Sequence, residues 1–192
     1  MVMSQICNYQ EKLMQSKTAV SDERWELFYK GFFGPDAVIG DRIPDNTDLQ
    51  KSGVDRQVKY WNGSQFNVDE KIILKTYPHI CFETVSNVEL NKPGWFADTT
   101  LLTDYLAYTI FPFEECYFID LNDARIWWQS PRGQAATANI NSKSTKTPYR
   151  GGYYTTIFYP VPIETLIDEF GEHIKVTLTP ADLEYLKGVE VE

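Results

Sequence analysis

Three side chains define the chemistry open to this sequence: Asp55, Asp69 and Lys71. All lie in the stretch from Val54 to Ile72, which reads as two short strands joined at Asn62-Gly63, a strong hairpin signal. The apolar residues are Val54, Val58 and Tyr60 on the first arm and Phe66, Val68 and Ile72 on the second, all at even positions. A two-residue loop would send the two apolar sets to opposite faces. A three-residue loop, Asn62-Gly63-Ser64, pairs Tyr60 with Phe66 and Val58 with Val68 and gives one apolar face. The odd positions then share the other face. Asp55 is expected opposite Lys71, Asp69 one step away, and Glu70 is excluded.

Two carboxylates brought that close repel unless a cation lies between them, and hard oxygen ligands suit Mg²⁺. A lysine beside such a centre stabilises developing negative charge or helps to activate a bound water. The chemistry that follows is metal-assisted hydrolysis of a phosphodiester. The competing reading is a solvated hairpin face with cross-strand charge pairs. Against it stands the clustering of acids near the strand ends, together with Glu83 inside the otherwise apolar run Ile80 to Val85. A carboxylate there must be paired, coordinated or protonated; a structural salt bridge and a third acidic contact of the site are both open.

The elements that position these residues can be outlined from pattern. A helix is expected within residues 1–20. Ser21 reads as the N-cap of a second, with Asp22 and Glu23 in its first turn, an apolar stripe of Trp25, Phe28, Phe32 and Leu27, and an end at Gly31 to Gly34. Glu26 lies off that stripe, either as a surface charge or as an auxiliary acid of the site. Val38-Ile39 suggests a brief strand. After the hairpin, Tyr77 to Val85 reads as a central strand. Asn91 to Trp95 reads as a loop in which Trp95 packs and Lys92 is free to meet a phosphate. Tyr105 to Phe111 and Cys116 to Ile119 form a second hairpin, with a turn or cap role for Asp104. A helix runs from Leu121 to Trp128, a β-rich run from Tyr153 to Tyr159, and helices at Ile163 to Phe170 and from Pro180 to Leu186. Ser130 to Gly152, poor in apolar residues, reads as a long flexible loop.

With 192 residues, 43% hydrophobic, the chain is long enough for one globular domain, taken as 1–192 with a core at about 20–170. No apolar run is long enough to span a membrane. Three scattered cysteines argue against a disulfide framework, two histidines against a His-rich metal site, and the N-terminus does not read as a secretory signal. An intracellular, cytoplasmic protein is expected. The net charge of −9 counts against a general nucleic-acid binder, but Ala124 to Gly152 holds five cations and no acids. Arg132, Lys143, Lys146 and Arg150 of that segment form a basic arm able to hold a phosphate backbone, or a solvated loop.

A helix, an aspartate at the end of a hairpin, Asp-x-Lys on the second arm, then a further buried strand: in that order the chain resembles the PD-(D/E)xK nuclease-like superfamily. Gly53-Val54-Asp55, Val68-Asp69-Glu70-Lys71, Phe82-Glu83, Lys92-Pro93-Gly94-Trp95 and Asp104-Tyr105-Leu106-Ala107-Tyr108 look like a poorly characterised phage and bacterial group within it. One departure is Val54 where a proline often stands. The resemblance implies an α/β (α+β), restriction-endonuclease-like mixed sheet flanked by helices, and Mg²⁺- or Mn²⁺-dependent cleavage of DNA more than RNA. Asp55 and Asp69 would hold the metal and Lys71 would position or activate the attacking water. Glu83, and Glu26 as an auxiliary, would complete the acidic cluster. Some members have lost catalysis, so a nuclease-fold module that binds a protein or nucleic-acid partner is the alternative.

Overall fold

Ser21 begins the first helix in the computed structural model, which describes residues 19–45, 47–149 and 152–189. The helix expected within residues 1–20 lies outside them but for its last two positions. Ser21 is extended and its hydroxyl accepts the Arg24 N–H; Asp22 and Glu23 fill the first turn; Gly34, at φ 98°, ends the helix. Helix α1 (Asp22–Phe33) therefore has the bounds its caps dictate. It buries Trp25, Phe28, Tyr29 and Phe33. Phe32, expected inside, is half-buried and stacks on Phe118 at 4.5 Å.

The chain continues through β1 (Val38–Ile39), α2 (Asp48–Lys51), β2 (Arg56–Lys59), β3 (Gln65–Ile73), β4 (His79–Asn87), β5 (Lys92–Pro93), β6 (Tyr105–Ile110) and β7 (Glu115–Asp120). It ends with α3 (Leu121–Gln129), α4 (Pro131–Thr137), β8 (Lys143–Tyr149), β9 (Gly152–Pro162), α5 (Ile163–Phe170), β10 (Lys175–Thr177) and α6 (Pro180–Val189). The first sheet has the order β1-β2-β3-β6-β7-β10 and the second β5-β4-β9-β8. In the first, β3 and β6 run parallel and the other neighbours antiparallel. The architecture is thus mixed α/β, with a mixed sheet flanked by helices. Among the described residues no helix is long and apolar enough to cross a membrane.

The first sheet is covered on both faces. Val58, Val68, Ala107 and Phe118 meet α1. On the reverse, Leu106, Tyr108, Ile110 and Ile119 pack with Ile80, Phe82 and Val161 of the second sheet and with Trp127 and Leu166 of α3 and α5.

Two expectations are corrected. The strand after the hairpin, β4, leaves the first sheet and pairs with β9, so the carboxylate cluster and Glu83 belong to different sheets. Residues 130–152 are not one long loop. Ser130 caps α4 through the Gly133 N–H, with Pro131 in the first turn, and Lys143–Tyr149 pairs residue by residue with β9. Alternating Ser, Thr and Lys suit an edge strand, which needs few apolar residues and benefits from charge.

Candidate active site

The hairpin loop has three residues, as the alternation demands, but they are Trp61-Asn62-Gly63, one position earlier than expected. Val58 pairs with Phe66, and Tyr60 N–H donates to Ser64 O at 2.8 Å. The reason is the glycine. The last loop position of such a turn is left-handed; Gly63 takes it at φ 85°, while Ser64 there would be strained. The even-odd partition of faces survives this shift, but the pairing across the hairpin changes. Just beyond the Arg56–Val68 pair that ends the ladder, the Asp55 side chain meets Asp69 and is not opposite Lys71. Asp55 N–H donates to Val68 O at 2.9 Å, and Asp55 Oδ2 accepts from Glu70 N–H at 3.0 Å.

The Asp55 and Asp69 carboxyls are therefore direct neighbours, and each lines the same side of the hairpin. Lys71 Nζ lies 2.6 Å from Asp69 Oδ1. Burial, reinforced by the Asp55 charge and opposed by Lys71, pushes the Asp69 carboxyl up to about 7. Lys71 is held above the usual lysine range; the Asp69 and Asp55 charges outweigh its desolvation, so it remains a cation.

Glu70 points the other way, into the core beside α1. Its Oε1 accepts from Arg56 Nε at 2.8 Å and from the Tyr29 hydroxyl at 2.9 Å, with Arg42 3.8 Å from Oε2. Asp22 receives the far side of the Arg56 guanidinium at 2.7 Å. This is a buried structural network behind the site.

Asp55, Asp69, Lys71 and Glu83 all line a cleft of about 930 Å³ between the two sheets. Glu83 enters it from β4. Burial raises its pKa, opposed by Lys71 and by hydrogen bonds from the Trp95 N–H and Ser86. A β-bulge between Glu83 and Val85 accompanies the close approach of Gly94, whose added Cβ would stand 2.4 Å from Glu83 O.

The other sequence candidates separate. Lys92 lines the cleft. Lys143 pairs with Phe158, a cleft residue, and so shares the cleft-side face of the second sheet. Lys146 pairs with Thr155 on the opposite face. Arg132 binds Glu169 at 2.6 Å, away from the cleft. Glu26 is exposed, paired with Lys30 along α1 and outside the cleft, so it does not join the cluster. Arg150 lies outside the described residues. Asp104 accepts the Asn67 N–H at 2.7 Å, a linking role between β3 and β6.

Tyr108 was not found from sequence. The parallel β3–β6 pairing sets it beside Lys71, and its buried ring reaches Cys81 of β4 across the cleft. Local pattern carries no signal for a parallel pairing between strands so far apart in the chain.

Among the described residues no three Asp, Glu, His or Cys side chains gather closely enough to hold a metal as a set. Asp55 and Asp69 are the pair that does meet. A buried carboxyl set beside a second carboxylate is a fitting donor for a divalent cation, and Mg²⁺ is commonly bound by one or two carboxylates with water completing its shell. Comparison of the chain with protein-family models, curated proteins and solved structures gives no significant match.

Proposed function

We propose that this protein is a metal-dependent nuclease of the PD-(D/E)xK type, its first sheet a restriction-endonuclease-like core, acting on DNA in preference to RNA inside a bacterial or phage-infected cell. The observation that carries the reading is the convergence of Asp55, Asp69 and Lys71 on one side of the hairpin, at the floor of an open cleft. Asp55 and Asp69 would hold Mg²⁺ or Mn²⁺. Bound there, the ion would polarise the scissile phosphate and stabilise the leaving oxygen. Lys71, kept cationic by its carboxylate neighbours, stabilises charge on the attacked phosphate and orients the water; it is not the base. Glu83, on the opposing wall with a raised pKa, would accept the water's proton.

The test is cleavage of single-stranded, duplex, branched and RNA substrates with Mg²⁺ or Mn²⁺. Cleavage that disappears in Asp55→Asn and Asp69→Asn supports the reading. A panel left intact by the folded protein sinks it. One observation favours a second reading, a non-catalytic binding module: Asp69 Oδ1 is taken up by an ion pair with Lys71 at 2.6 Å. Calorimetric titration with Mg²⁺ separates the two, since a module shows no binding that depends on the two aspartates.

A further inference from the structure

The cleft's second wall is the two-stranded ribbon of β8 and β9, and its chemistry differs from that of the floor. The pairs Lys143–Phe158, Thr145–Thr156 and Thr147–Tyr154 all place their side chains on the cleft side. The alternate positions, including Lys146 and Thr155, face away. The wall is thus a row of hydroxyls and two aromatic rings, with a lysine on the same face. The hydroxyls of Thr145 and Thr147 have no hydrogen-bond partner among the described residues, whereas Thr156 already donates to Ser86 O at 3.1 Å. Phe158 is cross-paired with Glu83, so the aromatic surface adjoins the candidate reacting centre.

The charge of the cleft limits what it can hold. Four cations line it, Arg42, Lys51, Lys71 and Lys92, with Lys143 on the same face of the ribbon, against five carboxylates besides Glu70, whose side chain is turned into the core. Duplex DNA packs one charge into every ~1.7 Å of axis and is held chiefly by phosphate neutralisation, which a cleft with no surplus of cations does not supply. Stacking of bases on aromatic rings needs no such surplus of cations, but it requires base faces that are free.

We infer that the β8–β9 ribbon is a single-strand binding wall, on which unpaired bases stack against Phe158 and Tyr154 while Thr145 and Thr147 bond the sugar-phosphate backbone. The substrate class is an unpaired polynucleotide segment, and the inference rests on the nuclease reading for the meaning of the floor but not for its own test. Specificity for single strands then resides in the second sheet, and the hydrolytic groups reside in the first.

The test is fluorescence anisotropy of the full chain, in EDTA, with labelled oligothymidylate, oligouridylate and a blunt duplex of matched length. The single strands are expected to bind more tightly than the duplex, and the two single-stranded arms separate DNA from RNA preference. Phe158→Leu and Tyr154→Leu are each expected to weaken binding about tenfold. Thr145→Val combined with Thr147→Val, on a partly exposed strand where folding is not at risk, is expected to weaken it several-fold. Duplex bound as tightly as single strand, ribbon variants that bind as the wild type does, or no polynucleotide bound at all would each overturn the inference. Ribbon-dependent binding without cleavage in any metal would leave the wall standing and remove the nuclease reading. Metal-dependent cleavage unaffected by the ribbon variants would do the reverse.

Discussion

Lys71 and Asp69, two residues apart on one strand, form an ion pair of 2.6 Å, while the same Asp69 carboxyl meets Asp55, the residue just before β2. The lysine and the second aspartate thus compete for one carboxylate. Removing Lys71 is expected to separate chemistry from ion binding. Lys71→Met should lower cleavage by about 100-fold or more while leaving Mn²⁺ affinity intact or improved. Turnover and calorimetric Mn²⁺ titration, measured side by side, check this; parallel loss of both would assign Lys71 a structural role.

The pH dependence of stability should expose Asp69. Its folded value of about 7 lies above the ordinary 3.8, so between these limits the folded chain binds more protons than the unfolded one. Stability of the metal-free protein is therefore highest at low pH with respect to this group and falls as pH rises from about 4 to 7, at up to ~1.4 kcal/mol per pH unit. Urea midpoints in EDTA should show this slope in the wild type and lose it in Asp69→Asn. Adding Mn²⁺ should oppose it, because the ion replaces the proton.

Glu70 stands next to Asp69 in sequence and has a different task. Glu70→Gln removes the charge that balances Arg56 in the core. It should cost about 3 kcal/mol or more, read as a lowered melting temperature. Tyr29→Phe, which loses one hydrogen bond to the same carboxylate, should cost about 1 kcal/mol. Mn²⁺ affinity per folded molecule should be unchanged in both; its loss in Glu70→Gln would mean that the wrong carboxylate has been assigned to the ion.

Gly94 allows the β5 segment to lie directly on Glu83. A Cβ at that position would meet Glu83 O at 2.4 Å and Glu83 Cγ at 2.6 Å. Gly94→Ala should therefore lower stability by about 1–3 kcal/mol and displace the Glu83 carboxyl. Activity should fall by a larger factor than in Lys92→Ala, which removes a charge that acts on Glu83 but leaves the Glu83 backbone in place. Equal activities in the two variants would remove Glu83 from the mechanism.

How far these relationships were legible differs from residue to residue. The α1 boundaries are written in Ser21, Asp22, Glu23 and Gly34, because caps act over a single turn. The separation of Asp69 from Glu70 onto opposite faces follows from strand alternation and does not depend on the register. The register itself turned on which loop residue tolerates a positive φ, and weighing Gly63 against Ser64 for that position gives the right answer. The departure of β4 to a second sheet was not legible. Its apolar run fits a central strand of any sheet, and its partner β9 lies far along the chain. The β8 edge strand was hidden for a related reason: an edge needs no apolar stripe, so Lys143 to Tyr149 has the composition of a loop.

The division of the cleft between two sheets also sets an order of assembly. The floor comes from a hairpin, where Arg56 meets Val68 after a short stretch of chain, and hairpins form within about 1–10 μs. The wall requires Glu83 to find Phe158, and so must wait for the intervening strands and helices to be placed. A nascent or partly unfolded chain therefore has its paired acids and lysine before it has anything to hold a polynucleotide against them. On the proposed function, long-range topology acts as a safeguard: hydrolytic competence arrives with the last contacts of folding and is the first property lost when the two sheets part.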